Sequence, residues 1–310
     1  MTEDWSRTRV WVERSLRPGE HIRAVAELRG GWTSRMRRLD IEGTGEPYTL
    51  VLRSFVQPFF LKHALGLLTR EADILRLLAD TQVPAARLHA VDARAEHCDH
   101  PSLVMSLLSG SVRLDGEDVE RKTEQLARQL AAIHGLRVPE EDRPRTYQAW
   151  TGPERVQIPE GTKRPELWRR AVDVIRRPAP PYRPCFLHRD YHPGNVLFTG
   201  HGADLAVTGV VDWVETSWGP ADLDVAHCST ALVLLHGVPV GLRFADHYLA
   251  AGGTLAEDSE AHLYWRLLDA LAFAPDAEKV AVPWRELGRT DLTPTVLAGR
   301  LEEYLLALLD

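Results

Sequence analysis

The chain has 310 residues, which is long enough for two domains with substantial cores. Its hydrophobic content of 44% is ordinary for a globular protein, and no run of about 18 apolar residues predicts a membrane span. The net charge of −7, without a basic or aromatic-interleaved tract, argues against a nucleic-acid-binding protein.

Charge is unevenly distributed along the sequence. Residues 212–310 contain 16 acidic and 6 basic side chains, whereas residues 1–211 contain 28 acidic and 31 basic ones. The more basic front part suits phosphate binding, and the acidic rear part suits a cationic small molecule. A solvated acidic surface that aids solubility explains the rear part equally well.

The N-terminal segment and the cysteines predict a cytoplasmic protein. The first 16 residues are charged and contain no apolar signal segment. Cys98, Cys185 and Cys228 are widely spaced and odd in number, so neither a disulfide framework nor a zinc pattern can be drawn from them. We therefore expect reduced, structural cysteines.

The first third of the chain alternates between helical and strand patterns. Helices are predicted at 3–17 and 67–79, and strands at 21–28, 35–41, 48–55, 87–92 and 102–108. The first two strands are joined by a turn that contains Gly30 and Gly31. Since glycine has no Cβ, backbone N–H groups can approach an anion there, although such a pair is usually only a hairpin turn.

The remainder of the chain is mostly helical by pattern. Helices are predicted at 118–136, 166–177, 225–235, 244–251, 259–273 and 293–309. The boundary between two lobes is predicted near residue 108, with residues 1–107 forming the N-terminal lobe and residues 108–310 the C-terminal lobe.

Three oxygen-bearing side chains stand out between these helices: Asp190, Asn195 and Asp212. They lie on polar loops beside the apolar strand patterns 196–198 and 207–211, which would mount them rigidly. Phosphoryl transfer needs such a set, because one carboxylate orients the attacking hydroxyl while a carboxamide and a second carboxylate hold Mg²⁺. Each residue alone would be more simply explained as an ion pair, a cap or a turn residue.

These residues carry a family resemblance. The segment His188–Asn195, HRDYHPGN, resembles the catalytic loop H-x-D-x-H-P-x-N of the aminoglycoside phosphotransferases, and Val211–Trp213 resembles their I-D-W/F metal motif. The resemblance implies an α+β, protein-kinase-like fold of two lobes, a small N-terminal one with an antiparallel sheet plus a helix and a larger, mostly helical C-terminal one. It also implies transfer of the γ-phosphate of ATP or GTP to a hydroxyl, with Asp190 as the catalytic residue and Asn195 and Asp212 as the Mg²⁺ ligands.

The glycine turn fits the same resemblance. Gly30, Gly31 and Thr33 match the family's phosphate loop G-G-x-S/T-N, while Ser34 replaces its asparagine. The resemblance therefore implies that this turn binds the nucleotide phosphates.

The N-terminal lobe supplies the other implied nucleotide contacts. Arg53 stands where kinases carry a phosphate-binding lysine, and Glu71 is its implied partner. Arginine keeps the charge and can bind phosphate through two parallel hydrogen bonds. Met105 and Leu107 fall at the implied contact with the nucleobase, although Met105 could equally belong to the core.

Two further positions are implied to be structural. Asp224 lies in a segment that resembles the family's G-x-P-x-x-D-L-A, and we expect its carboxylate to tie the catalytic loop to the next helix. His134, near the end of a long helix, is expected to pack or hydrogen-bond beneath that loop.

The acceptor is left open by the sequence. Aminoglycosides would need spaced carboxylates, whereas a choline-like molecule would need an aromatic cage, and the C-terminal region offers both types: Glu257, Asp258, Glu260, Tyr264, Trp265, Asp269 and Trp284. Homoserine- and fructosamine-type acceptors are further alternatives. A kinase-like protein that binds nucleotide without transferring phosphate is the competing class, and the replacement of lysine by Arg53 is the one feature that favours it.

Overall fold

The computed structural model describes residues 5–28 and 34–310, which form two compact units. The sheet unit comprises the described residues up to Ser109 together with Gly209–Val214. The helical unit comprises Gly110–Thr208 and Glu215–Asp310. The short segment Gly209–Val214 thus belongs to the sheet unit although it lies about a hundred residues further along the chain.

The sheet unit is built on one antiparallel sheet of five strands in the order β1-β2-β3-β5-β4. The strands are β1 His21–Leu28, β2 Arg35–Glu42, β3 Tyr48–Ser54, β4 Leu88–Asp92 and β5 Ser102–Ser106. Helix α1, Ser6–Ser15, precedes the sheet, and α2 Pro58–Leu61 and α3 Ala64–Leu78 lie between β3 and β4.

The core of the sheet unit is formed by apolar side chains that occupy every second position along its strands. Leu50 and Leu52 on β3, with Leu39 and Ile41 on β2, are buried in one apolar cluster that also includes Val12 of α1. Because side chains on a strand alternate between faces, residues two apart reach the same cluster. Arg53 directly follows Leu52 and is therefore directed to the other face of the sheet.

The helical unit contains the remaining elements, β8 being shared by the two units. They are α4 Val119–His134, α5 Pro165–Ile175, β6 Pro184–Leu187, β7 Val196–Thr199, β8 Ala206–Val210, β9 Ser217–Pro220, α6 Ala221–His236, α7 Val238–Ala250, α8 Ser259–Leu271, α9 Glu278–Glu286 and α10 Pro294–Leu309. β6 pairs with β9 antiparallel, and β7 pairs with β8.

Helix α6 is the central element of the helical unit. Its residues from Ala221 to Leu235 are all buried, which explains why its apolar residues are spread around the whole circumference rather than along one stripe. Leu234 of α6, Trp265 and Leu268 of α8, and Leu301 of α10 belong to one large core cluster. A polar side chain on α6 must therefore find its partner inside the protein.

The predicted α+β class, with an antiparallel sheet followed by a mostly helical part, is confirmed. Most predicted elements occur within a few residues of their predicted bounds, but α2, β6, β9 and α9 had no predicted counterpart. Cys98, Cys185 and Cys228 are all unpaired. Among the helices of the described ranges, none has the length and apolarity needed to cross a membrane.

Candidate active site

The catalytic loop predicted from sequence connects β6 to β7 in the helical unit. Its start is anchored by Asp224, in the first turn of α6, whose carboxylate accepts the backbone N–H groups of His188 and Arg189 at 2.8 Å each. Arg189 has a φ of 70°, a left-handed conformation that these two hydrogen bonds help to hold. The predicted tie between Asp224 and the loop is present.

Asp224 remains an anion although it is completely buried. Burial alone would raise the pKa of this carboxyl, but the hydrogen bond from His134 and the nearby Arg189 and His188 lower it. His134 Nε2 lies 3.1 Å from Asp224 Oδ2, and its Nδ1 lies 2.7 Å from the hydroxyl of Tyr248. His134 thus supports the loop from beneath.

The side chain of Asp190 is held at both carboxylate oxygens. Asn195 Nδ2 donates to Asp190 Oδ2 at 2.9 Å and to the backbone carbonyl of Asp190 at 2.9 Å. Oδ1 lies 3.2 Å from His227 Nε2 and 3.8 Å from His192 Nε2. The Asp190 side chain keeps 30% of its surface exposed, so it can still meet a small molecule.

The surroundings of Asp190 favour its charged form. Burial raises the pKa of this carboxyl, but the hydrogen bond with His227 and the charges of His192, His227 and His188 lower it well below its usual range. At neutral pH Asp190 is therefore an anion that can accept a hydrogen bond from a hydroxyl and orient it.

A second charged cluster lies in the sheet unit, around Arg53 on β3. Its Nη1 lies 2.8 Å and 3.0 Å from the two carboxylate oxygens of Glu71 on α3 and 3.2 Å from Asp212 Oδ1. Its Nε donates to Ser34 Oγ at 3.1 Å. The predicted pairing of Arg53 with Glu71 is therefore present, while a contact of Arg53 with phosphate stays a prediction.

Arg53 and Glu71 are buried, but Asp212 is not. Burial would lower the pKa of Arg53, and the charges of Asp212 and Glu71 more than offset this, so the pKa is raised. The Asp212 side chain is 31% exposed, and its backbone has a φ of 64° just after β8. The cluster thus holds an aspartate at the surface by a left-handed turn and a buried cation.

The other predicted nucleotide contacts differ in how they are placed. Met105 lies on β5, nearly buried and in register with Val51 and Leu88. Leu107 follows the end of β5, is 40% exposed, and donates its backbone N–H to Thr49 at 3.3 Å. Gly30, Gly31 and Thr33 lie outside the described residues.

The predicted acceptor contacts divide into buried and exposed residues. Asp269, Trp265 and Trp284 are buried, whereas Glu257 and Glu260 are exposed near the start of α8. Asp258 caps that helix by accepting the N–H of Glu260, and Tyr264 is half-buried. Glu260 and Asp269 are nine residues apart on α8, so they are separated by about 13 Å along the helix axis.

His227 is a residue of this site that the sequence reasoning did not single out. It lies on α6, with Nε2 at 3.2 Å from Asp190 Oδ1 and Nδ1 at 3.0 Å from Asp269 Oδ1. Its available signal was a histidine inside the otherwise apolar helix pattern 225–235. Asp269 is the partner of this histidine, and its predicted contact with an acceptor stays a prediction.

Within the helical unit, one group of described side chains has the chemistry to hold a metal ion. Asp190, His192 and His227 place ligand atoms within 4.8 Å of one another, a combination typical of transition metals. However, His192 Nδ1 accepts the backbone N–H of Gly194 at 3.0 Å, so a neutral His192 carries its proton on Nε2, which faces Asp190. This set is therefore better explained by shared protons than by a metal.

Asn195 in the helical unit and Asp212 in the sheet unit are the two residues that the sequence predicts as Mg²⁺ ligands. Because Asn195 Nδ2 donates to Asp190, its carbonyl oxygen is turned away from that carboxylate, and no other side chain of the described residues donates to it. Asp212 has one oxygen bonded to Arg53, which leaves the other for a further partner. Amide and carboxylate oxygens are the ligand types that Mg²⁺ prefers, so the two residues fit this ion chemically.

Residues 24–297 match the model of the APH phosphotransferase enzyme family. The chain belongs to this family. The match spans both charged clusters, from β1 to α10. The resemblance predicted from the two motifs is thereby confirmed, and the protein is a member of a family of small-molecule phosphotransferases.

Solved structures show the same fold across almost the whole chain. A candidate aminoglycoside phosphotransferase from Ralstonia eutropha has a TM-score of 0.62 at 17% identity, covering 98% of this chain and 99% of its own. The GDP and kanamycin complex of an APH(2″) enzyme has a TM-score of 0.60 at 15% identity, covering 97% of each chain. Spectinomycin phosphotransferase in complex with ADP and spectinomycin has a TM-score of 0.58 at 12% identity, covering 99% of each chain.

These likenesses confirm the predicted kinase-like fold class of this phosphotransferase. At such low identities they concern the fold alone. Among curated proteins, no sequence matches this chain significantly.

Proposed function

We propose that this family member is a Mg²⁺-dependent O-phosphotransferase that moves the γ-phosphate of ATP or GTP to a hydroxyl of a small molecule. Family membership supports the class of reaction. The observation that carries the proposal is the state of Asp190, an anionic, part-exposed carboxylate held at both oxygens on an anchored loop. Such a group is suited to orient an attacking hydroxyl.

Asp190 acts mainly by positioning. It accepts a hydrogen bond from the acceptor hydroxyl, directs that oxygen toward the γ-phosphate and takes its proton late, because a loose transition state needs little basicity. Asn195 restricts the carboxylate through Oδ2 while keeping its own carbonyl oxygen available. The loop tie to Asp224 limits movement of the backbone that carries both residues.

Asn195 and Asp212 are the residues we propose as ligands of Mg²⁺, since both offer hard oxygen atoms. When bound, the ion supplies charge neutralisation for the transferred phosphate. Arg53, fixed by Glu71, contributes a permanent positive charge next to Asp212. We propose that Arg53 steadies Asp212 and attracts nucleotide phosphate, in place of the lysine of kinases.

The remaining nucleotide contacts are proposed from the resemblance. Gly30, Gly31 and Thr33 would cover the phosphates, and Met105 and Leu107 would face the base. Related structures contain ADP in one case and GDP in another, which supports a nucleotide co-substrate without choosing between ATP and GTP. We propose a cytoplasmic location, where both nucleotides are present.

For the acceptor, we propose a small hydroxylated molecule of the aminoglycoside type. Its support is that solved relatives of the same fold were crystallised with kanamycin and with spectinomycin. Amino-alcohols and amino-sugars of the choline, homoserine or fructosamine type provide the comparison set, because they share a hydroxyl beside a cationic group.

The direct test is release of nucleoside diphosphate with a panel of these acceptors, for the wild type and Asp190→Ala. We expect acceptor-dependent release by the wild type, and a fall of about 100- to 10,000-fold in kcat for the variant. Asp173→Ala is the matched control, because it removes an aspartate from an exposed pair with Arg176 on α5. Equal transfer by wild type and Asp190→Ala would refute the assignment.

A further inference from the structure

Two histidine–aspartate pairs connect α6 to α8 within the described residues. His227 of α6 lies 3.0 Å from Asp269 of α8, and His262 of α8 lies 2.7 Å from Asp222 of α6. The two pairs therefore join the same helices with the residue types exchanged. They differ in one respect, since the second nitrogen of His227 lies 3.2 Å from the carboxylate of Asp190.

The geometry around His227 determines which of its ring nitrogens carry a proton. A neutral imidazole has one N–H and one lone pair, so it can donate to one carboxylate only and would present its lone pair to the other. Asp190 and Asp269 lie within hydrogen-bond distance of opposite nitrogens. Both contacts are favourable only when the ring carries a proton on each nitrogen, as an imidazolium between two carboxylates.

We propose that His227, held as a cation by Asp269, is a positioning residue that fixes the carboxylate of Asp190 for phosphoryl transfer. This inference rests on the proposed function, because it assigns His227 a task in that reaction. With His227 donating to Oδ1 and Asn195 donating to Oδ2, the Asp190 carboxylate is restricted in rotation. Each carboxylate oxygen has a second lone pair, so an acceptor hydroxyl can still donate to Asp190.

The neighbours of His227 agree with a charged ring. From α8 and the residues after it come Asp269 and Phe273, whose ring stacks on the imidazole with centroids 5.7 Å apart. The catalytic loop contributes Asp190 and His192, the latter with ring centroids 5.7 Å from His227. Trp150 meets the ring edge-on at 4.9 Å.

Among the described residues, two cations lie behind the rings that surround His227. Arg189 is 4.2 Å from the Trp150 ring, which meets the imidazole edge-on. Lys279 of α9 is 5.4 Å from the Phe273 ring, and Phe273 in turn stacks on the imidazole. Burial and these cations oppose a charge on His227, whereas two adjacent carboxylates favour it. Burial lowers the pKa of His227, but the effect of Asp269 and Asp190 is larger and raises this pKa to about 9. The ring is accordingly charged at neutral pH.

The kinetic test compares the two pairs. For His227→Ala we expect kcat to fall about 10- to 100-fold with little change in the nucleotide KM, because the nucleophile is misplaced rather than unbound. His227→Gln, which retains a donor without the charge, should recover part of the loss. The matched controls His262→Gln and Asp222→Asn remove the other pair between the same helices and should keep kcat close to that of the wild type.

The pH profile separates positioning from a purely structural role. In the wild type, kcat should fall above about pH 9 as His227 loses its proton. In Asp269→Asn this fall should begin at lower pH, because the loss of the Asp269 charge lowers the pKa of His227. A structural role would leave the position of this limb unchanged.

A second readout does not depend on turnover. In protein labelled with ¹⁵N-histidine, the ring nitrogens of His227 should show the imidazolium form at pH 7.5, and their midpoint should fall in both Asp190→Asn and Asp269→Asn. A neutral ring in the wild type at pH 7.5, or an unchanged kcat in His227→Ala, overturns the inference and leaves the proposed function standing. If the ring is charged and coupled to both carboxylates but the protein transfers phosphate to no acceptor, the ion-pair geometry is supported and the proposed function is refuted.

Discussion

The two charged clusters of this phosphotransferase have the same arrangement of charged side chains. In the sheet unit, Arg53 bonds to the buried Glu71 and to Asp212, whose side chain is 31% exposed. In the helical unit, His227 bonds to the buried Asp269 and to Asp190, whose side chain is 30% exposed. In each case a buried cation links a buried carboxylate to the exposed carboxylate that we propose as functional.

The clusters differ in the cation. Arginine is charged at every pH that a protein survives, whereas histidine gains and loses its proton near the physiological range. The Asp212 cluster should therefore keep its cation at every pH, whereas the Asp190 cluster should lose its cation at alkaline pH. The comparison predicts that nucleotide affinity and kcat respond separately to pH and to mutation.

The largest expected effect is in Asp212→Asn. Replacing this carboxylate should weaken Mg²⁺-dependent nucleotide binding more than about 100-fold, because a proposed metal ligand loses its charge. Calorimetry with and without Mg²⁺ measures it directly. An unchanged dependence on the metal would break the assignment of the Arg53 cluster to nucleotide binding.

Next in size is the effect of Arg53→Met on stability. Removing the guanidinium leaves Glu71 buried without its cation, which should lower the free energy of unfolding by about 3 to 5 kcal/mol. The double variant Arg53→Met/Glu71→Leu should regain most of that stability in urea denaturation, because an apolar pair can replace a buried ion pair. It should not regain nucleotide affinity, and recovery of both would show that Arg53 has a structural role only.

A smaller effect is the pH dependence of stability that His227 introduces. Its pKa is about 9 in the folded protein and about 6.5 when unfolded, so its stabilising contribution is complete below pH 6.5 and is lost as the pH rises through 9. The loss amounts to about 3 kcal/mol. Melting temperatures of wild type and His227→Gln between pH 6 and 10 should therefore converge on the alkaline side.

Melting temperatures over the same pH range also test the contrast between the Arg53 cluster and the His227 cluster. In an Arg53→Met variant the loss of stability relative to the wild type should not shrink toward pH 10, because arginine keeps its charge there and the buried Glu71, whose pKa burial raises, is left without its cation. A difference that shrank toward pH 10, as for His227→Gln, would remove the contrast between the two clusters.

The Arg53 cluster was accessible from sequence because its members lie on elements with clear periodicity. Arg53 follows an alternating strand pattern, and Glu71 falls in a helix whose apolar residues recur at helical spacing. The resemblance supplied the pairing, and geometry confirms it. Asp212 was found through its motif, but its contact with Arg53 depends on the return of Gly209–Val214 to the sheet unit, which no local pattern encodes.

The His227 cluster was missed for a physical reason. Its three members lie on a loop, on α6 and on α8, and their contacts arise only from the packing of those two helices. Because α6 is buried on every side, it has no amphipathic stripe from which the orientation of His227 could be deduced. The short elements α2, β6 and β9 were not predicted for a related reason, since four residues carry too little periodicity.

The measurement that tests the central claim most directly pairs nucleotide affinity with phosphate transfer in Asp190→Asn and Asp212→Asn. We predict that Asp190→Asn binds the Mg²⁺–nucleotide like the wild type but fails to transfer phosphate to the acceptor, whereas Asp212→Asn loses affinity for the Mg²⁺–nucleotide. If Asp190→Asn lost nucleotide affinity to the same extent as Asp212→Asn, or transferred phosphate at the wild-type rate, the assignment of separate tasks to the two clusters would be contradicted.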